Sequence, residues 1–298
     1  MARFKGRKAP VTSIPRGQAA QIWASFRKNR TAMAALVVLI VIAVLAVGCG
    51  FVFDYDTQAL GMNPAIQNET PSAAHWFGTD NFGRDLFVRV LFGARYSLAF
   101  GLGCTFLSLV IGCVFGATSA YYGGLVDNII MRIVDAVMCI PGILLALTIV
   151  AVAGAGFRSL LLAITISNVP GFTRMVRAVV LSVVHQDYIE AARSCGTRDR
   201  TIILRHVLPN ALGPILVNCM MQIAGMIMTA AGMSYISMGI QAPTPEWGNM
   251  LSEGMKMMRL YPHLVIFPGL AILVTALCFN LIGDGLADAV DPRRRQRT

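Results

Sequence analysis

The 298 residues are 56% apolar and only 13% charged, with a mean hydropathy of +0.64. That balance excludes an ordinary soluble domain of this length, because the polar remainder is too small to coat the apolar part. The net charge of +10 would suggest a nucleic-acid partner in a soluble chain, but its distribution points to membrane topology and to no nucleic acid.

Residues 1–30 are basic, carry Pro10 and Pro15, and contain no acidic side chain. Residues 18–29 are expected to form a short interfacial helix, with Trp23 and Phe26 dipping into lipid. A spanning helix needs about 20 mostly apolar residues. Stretches with little or no charge run over 31–53, 96–126, 136–157, 159–173, 211–244 and 260–283, the fourth borrowing residues to about 181. None shows the period-two alternation of a transmembrane β-barrel. The expected fold class is therefore an all-α polytopic membrane protein, with a six-span domain over 31–283 and a tail over 284–298.

Eighteen of the 25 lysines and arginines fall on one side of such a topology: eight before the first span, six from Arg174 to Arg205 and four after Pro292. The positive-inside rule makes that side cytoplasmic and puts both termini there. Segments 54–95 and 241–262 are then external. Six of the seven cysteines lie within spans and Cys195 lies in a cytoplasmic loop, so no disulfide framework is legible.

The second half of the 54–95 segment, HWFGTDNFGRDLFVRVLFGARYSL, is dense in glycine and charge. Asp80 is expected to cap a helix in which Asp85 and Arg89 pair four residues apart, and this helix is expected to lie across the outer mouth. In the second span Gly112, Gly116 and Ala120 recur at four-residue spacing, the pattern of close helix contact. Arg132 and Asp135, three apart, are expected to pair; an unpaired carboxylate there would be a candidate ion site. Pro141-Gly142 and Pro170-Gly171 fall inside the third and fourth spans and should bend them. Met221, Gly225, Met228 and Gly232 share one face of the fifth span, where thioethers either fill gaps between helices or line a tolerant path.

Between the fourth and fifth spans lies a polar hairpin over 187–210, DYIEAARSCGTRDRTIILRHVLPN. Glu190-Ala191-Ala192 favours helix, Gly196 suits the left-handed residue that ends one, and Thr197 is placed to cap the next. Pro209 is expected to mark where the loop becomes a membrane helix. Nothing in the chain resembles GxxxxGKS or GxxxxGKT, so no P-loop hydrolysis of ATP is expected here. The four histidines, His75, His185, His206 and His263, fall in no HExxH or Cys-His pattern. No catalytic residue, metal site or cofactor is expected.

The hairpin EAARSCGTRDRTIILRHVLPN, with glycine six after the glutamate and a terminal Leu-Pro-Asn, resembles the EAA loop of bacterial ABC importer permeases. HWFGTDNFGRDLFVRVLFGARYSL, LVDNIIMRIVDAVMCIPGILLAL, PTPEWGNML and FNLIGDGLADAVDP are similar to dipeptide and oligopeptide permease subunits of the DppC and OppC type. These motifs cover nearly all of the chain after about His75.

The resemblance implies a type I ABC importer permease fold in a bacterial inner membrane. It also implies a homologous second permease, two cytoplasmic ATPase subunits that hold ATP and magnesium, and an external solute-binding protein. By the same resemblance Asp187, Tyr188, Glu190, Ala191, Ala192, Gly196, Thr197, Arg200, His206, Leu208 and Pro209 would couple to an ATPase. Asp80, Arg84, Asp85, Arg89, Glu246 and Trp247 would serve an external gate or binding-protein contact. Pro141, Pro170, Met221 and Met228 are pathway or hinge candidates. Cargo stays open among di- and oligopeptides, glutathione, and nickel or metal chelates. A stand-alone ion-coupled transporter using Asp135 is the alternative from another class; it calls for inverted repeats, which are not visible in the sequence.

Overall fold

A computed structural model describes residues 18–290, and its regular structure is helical throughout. Helices α1 (Gln18–Phe26) and α2 (Arg30–Val52) are followed by an irregular segment and then by the long α3 (Leu86–Tyr122). Next come α4 (Gly124–Met138), α5 (Gly142–Ala153) and α6 (Phe157–Val184). The polar hairpin comprises α7 (Asp187–Ser194) and α8 (Asp199–Ile202) and leads into α9 (Leu208–Tyr235). A short α10 (Trp247–Met255) precedes α11 (His263–Val290).

Among the described residues five helices are long and apolar enough to cross a bilayer, and α4 and α5, bent by 78° at their junction, make six if they cross as one broken span. The break follows from Pro141, which lacks the N–H a continuing helix requires and steers Ile140 away from helical backbone. Pro170 leaves its helix unbroken. It is buried inside α6, which runs from Phe157 to Val184. In the turn before it, Ser167 and Asn168 donate side-chain hydrogen bonds of 2.8 Å to the carbonyls of Ala163 and Ile164.

The α3–α6 packing is the largest in the bundle, and it depends on the small residues of α3. A Cβ placed on Gly112 would stand 2.7 Å from Cβ of Phe172, and one on Gly116 would stand 2.5 Å from the carbonyl oxygen of Thr173. Both distances are shorter than atoms tolerate. Gly116→Leu is therefore expected to force the two helices apart, at a cost of about 3 kcal/mol or more. Thermal unfolding of the purified protein in detergent checks this, with Gly225→Ala as control because nothing lies within 4 Å of that position; equal midpoints for the two variants would remove the argument.

Several local expectations are corrected. The helix after Asp80 is not a separate element across the mouth but the first turns of α3, whose 37 residues span about 55 Å and so overrun the roughly 30 Å hydrocarbon core. Its cap is Asp85, whose side chain accepts from the Val88 N–H at 3.0 Å. Asp85 pairs with His75 at 2.8 Å rather than with Arg89. Asp135 pairs with Arg174 of α6 instead of Arg132, both partners about half exposed. Phe26 is buried against α11, where Gly285 leaves room for its ring. Met226 and Met233 pack in the core, whereas Met221 and Met228 are 40% and 60% exposed.

Candidate coupling site and pathway cleft

The hairpin is built as two short helices around a left-handed turn. Gly196 has φ of +74°, a conformation that glycine adopts without Cβ strain. The Gly196 N–H bonds to the Arg193 carbonyl at 2.9 Å, and the Thr197 N–H bonds to the Ala192 carbonyl at 3.1 Å. Together these bonds close α7 as a Schellman motif. Thr197 is thus consumed in ending α7. The cap position of α8 falls to Arg198, which makes no side-chain capping bond.

The root of the hairpin is apolar. Ile189, Ile202 and Val207 are fully buried in one core cluster with Tyr121, Val180 and Val184. Around this root runs a polar clasp. Tyr121 at the end of α3 donates to Asp199 at 2.7 Å, while Arg193 donates to the Tyr121 oxygen at 3.4 Å and lies 4.6 Å over its ring. Nearby, Arg177 of α6 grips Asp127 of α4 with bonds of 2.6 and 2.5 Å, and Ser119 of α3 donates to the same carboxylate. The hairpin is therefore tied to α3, and α3 to α4 and α6.

The opposite face of the hairpin is open. Asp187, Tyr188, Glu190, Ala191, Gly196, Arg200 and Pro209 are exposed, and Ala192, Thr197, His206 and Leu208 are half-buried. Pro209 lies in the first turn of α9, as expected, but helical structure, not a loop, leads into it. A π turn over Ile203–Val207, closed by the Leu208 N–H on the Ile203 carbonyl, carries α8 into α9. Pro209 has no N–H to offer, and the wider turn absorbs that loss. Asn210 donates to the His206 carbonyl at 2.6 Å. Residues Asp199–Tyr235 consequently form one continuous helical segment, long and apolar enough to cross a bilayer.

At the far end, Asp80, Arg84, Arg89 and Glu246, expected on a contact surface, are buried, and Asp85 is half-buried. Arg84 donates to Asp80 at 2.6 Å and to Glu253 at 2.9 Å. Arg89 stands 3.3 Å from Asp80 and 3.6 Å from Glu253, and it donates to the carbonyls of Ala59 at 3.0 Å and Pro243 at 3.3 Å. Both guanidiniums are at most 1% exposed. Glu246 caps α10 by accepting from the N–H groups of Gly248 and Asn249, and burial raises its pKa against those donors. Trp247 donates to the Val90 carbonyl at 2.9 Å and rests against Gly93. These groups knit the 54–85 segment, α3 and α10 together. Glu253 escaped the sequence reading, although it is the one acidic residue between Trp247 and Gly283.

A cleft of about 360 Å³ opens between α5, α6 and α9. It is lined by Gly142 and Ala146, by Ser167 and Asn168, and by Met228 and Thr229. The break at Pro141 and the exposed Met228 thus converge on one space. Pro170 and Met221 do not line it, and Met221 instead lies against Gly283 of α11.

A family model described as binding-protein-dependent transport system inner membrane component matches residues 108–296, and one for the N-terminal TM domain of oligopeptide transport permease C matches residues 17–71. The chain is 43% identical over 273 residues to the glutathione transport system permease protein GsiD of Escherichia coli O6:K15:H31, covering 92% of this chain and 90% of that one. It is 41% identical over 294 residues to the GsiD protein of Pectobacterium atrosepticum, covering 96% and 97%. Among solved structures, an inward-facing MetNI methionine ABC transporter aligns with a TM-score of 0.57 at 18% identity, over 68% of this chain and 96% of that one. At that identity the likeness speaks for the fold.

Proposed function

We infer the function from one premise: the chain belongs to the binding-protein-dependent transport system inner membrane components and is a permease subunit of an ABC importer. On our reading it lies in a bacterial inner membrane with the hairpin and both termini cytoplasmic. There it pairs with a second permease, and the pair receives cargo from an external binding protein. Two ATPase subunits supply ATP and magnesium, and this chain transmits their movement without catalysing hydrolysis. The proposed cargo is a short peptide, with glutathione first in view of the named relatives.

The observation that carries this reading is the mechanical continuity of the hairpin. Its exposed face presents Tyr188, Glu190 and Ala191, its buried face roots in the bundle through Ile189, and its second arm is continuous with α9. A force applied to the exposed face would pass through the Gly196 turn into α8, which continues into α9, and α9 forms a wall of the cleft. Rigid elements with two arrangements are what such switching requires.

Gly196→Pro and Glu190→Lys variants test the reading in the reconstituted transporter. Proline cannot adopt the positive φ of Gly196, and lysine reverses the charge of an exposed carboxylate. Both variants are expected to assemble with their partners yet to lose nearly all binding-protein-stimulated ATP hydrolysis. Unchanged stimulation would refute the coupling role. Native mass spectrometry of the complex with its binding protein reads the cargo separately, and a captured metal chelate would overturn the peptide assignment while leaving the coupling intact.

A further inference from the structure

At the hairpin end of the bundle, α1 packs with one aromatic ring turned inward and one left out. Phe26 is 5% exposed and Trp23 is 51% exposed, the two rings stacked at 5.8 Å. Between α1, α2, α11 and the first turns of α9 lies an open groove of about 340 Å³, lined by Ile22, Trp23, Leu36, Leu216, Ile282 and Leu286. Its walls are hydrocarbon. A free phosphate or a polar peptide would find no partner there.

The end of the groove is different. Arg27 follows Trp23 by one turn, its N–H bonded to the Trp23 carbonyl at 3.1 Å, and Lys28 and Arg30 come next; all three are exposed. The ion pairs among the described residues involve other groups. Asp284 and Asp288 are the acidic side chains of α11, whereas α1, α2 and the turn between them hold no acidic residue. An apolar trough beside the exposed Arg27, Lys28 and Arg30 matches the shape and charge of an anionic lipid.

We propose that this groove binds an anionic phospholipid of the hairpin-side leaflet, an acyl chain lying against Leu36, Leu216 and Ile282 and the phosphate held by Arg27, Lys28 and Arg30. The lipid would bridge α1 and α2 to α9, the helix continuous with the hairpin. Its site requires only that the chain lie in a membrane, so it stands independently of cargo and coupling.

The test uses the assembled transporter in nanodiscs, with quenching of Trp23 read as the part of the tryptophan signal lost in a Trp23→Phe variant. Dibrominated phosphatidylglycerol is compared with dibrominated phosphatidylcholine. The anionic lipid is expected to quench at a lower mole fraction. That preference should fall roughly fivefold for each cation removed through Arg27→Gln, Lys28→Gln and Arg30→Gln, in line with the attraction of one basic residue to an anionic surface. Equal quenching by both lipids, or a preference unchanged in the triple variant, would overturn the proposal. So would quenching of Trp23 by neither lipid, which would mean that a protein subunit or a second copy covers the groove.

Discussion

Arg89→Ala is expected to lower stability by about 3–5 kcal/mol, the cost of breaking a buried ion network by removing one partner. Arg89 is fully buried between Asp80 and Glu253, and it also satisfies the carbonyls of Ala59 and Pro243. Alanine would leave two carboxylates sharing the single remaining guanidinium of Arg84 and two carbonyls without their donor. Desolvation enlarges that loss, because Asp80 is buried and Glu253 is mostly shielded from water. A thiol-reactive dye that reports exposure of the buried Cys49, Cys104 and Cys219 on heating would measure it. Arg259→Ala, at an exposed site of the same end, should leave the midpoint unchanged; the same midpoint for Arg89→Ala would show that the network contributes little.

Ile189→Asp is expected to detach the hairpin while leaving the spans in place. Ile189 is 0% exposed, and its neighbours in the cluster are hydrocarbon or aromatic. Burying a carboxylate among those side chains costs roughly 3–5 kcal/mol. That is comparable to what the two charge-assisted bonds of the Tyr121 clasp return, about 1.5–3 kcal/mol each, so the hairpin is expected to open far more often. Hydrogen exchange should speed up across α7 and α8 and stay slow in α3 and α6, and stimulated ATP hydrolysis should disappear. Tyr188→Asp, one residue away on the exposed face, should leave exchange unchanged. Exchange that accelerates throughout the bundle would mean that the hairpin is not a separable unit.

The legible parts of this protein were those governed by composition and local backbone chemistry. Apolar runs of about 20 residues announced the spans because lipid requires every backbone group to be satisfied within its own helix. Gly196 announced its turn because few other residues tolerate positive φ, and Gly112 and Gly116 announced a close helix pair because small side chains let backbones approach. Pro141 broke its helix as expected, yet Pro170 did not. The difference lies in surroundings, since Pro170 is buried in the bundle, with Ser167 and Asn168 hydrogen bonded in the turn before it.

Partner choice among charges was illegible, and for one physical reason. Spacing along a helix offers Asp85 to Arg89 and Asp135 to Arg132, but a charge takes whichever partner tertiary packing brings nearest with the better desolvated geometry. Asp85 went to His75, Asp135 to Arg174, and Arg89 to Asp80 and Glu253, the last separated from it by more than half the chain. The clasp of Tyr121 on Asp199 and Arg193 was hidden in the same way, as was the inward turn of Phe26 onto Gly285. By itself the sequence determined a helical membrane permease with a polar hairpin, because hydropathy and turn chemistry act within a few neighbouring residues. Only the tertiary structure decided which face of that hairpin is rooted, which charges are interior and where the cleft opens, because burial and ion pairing depend on groups that the chain brings together from a distance.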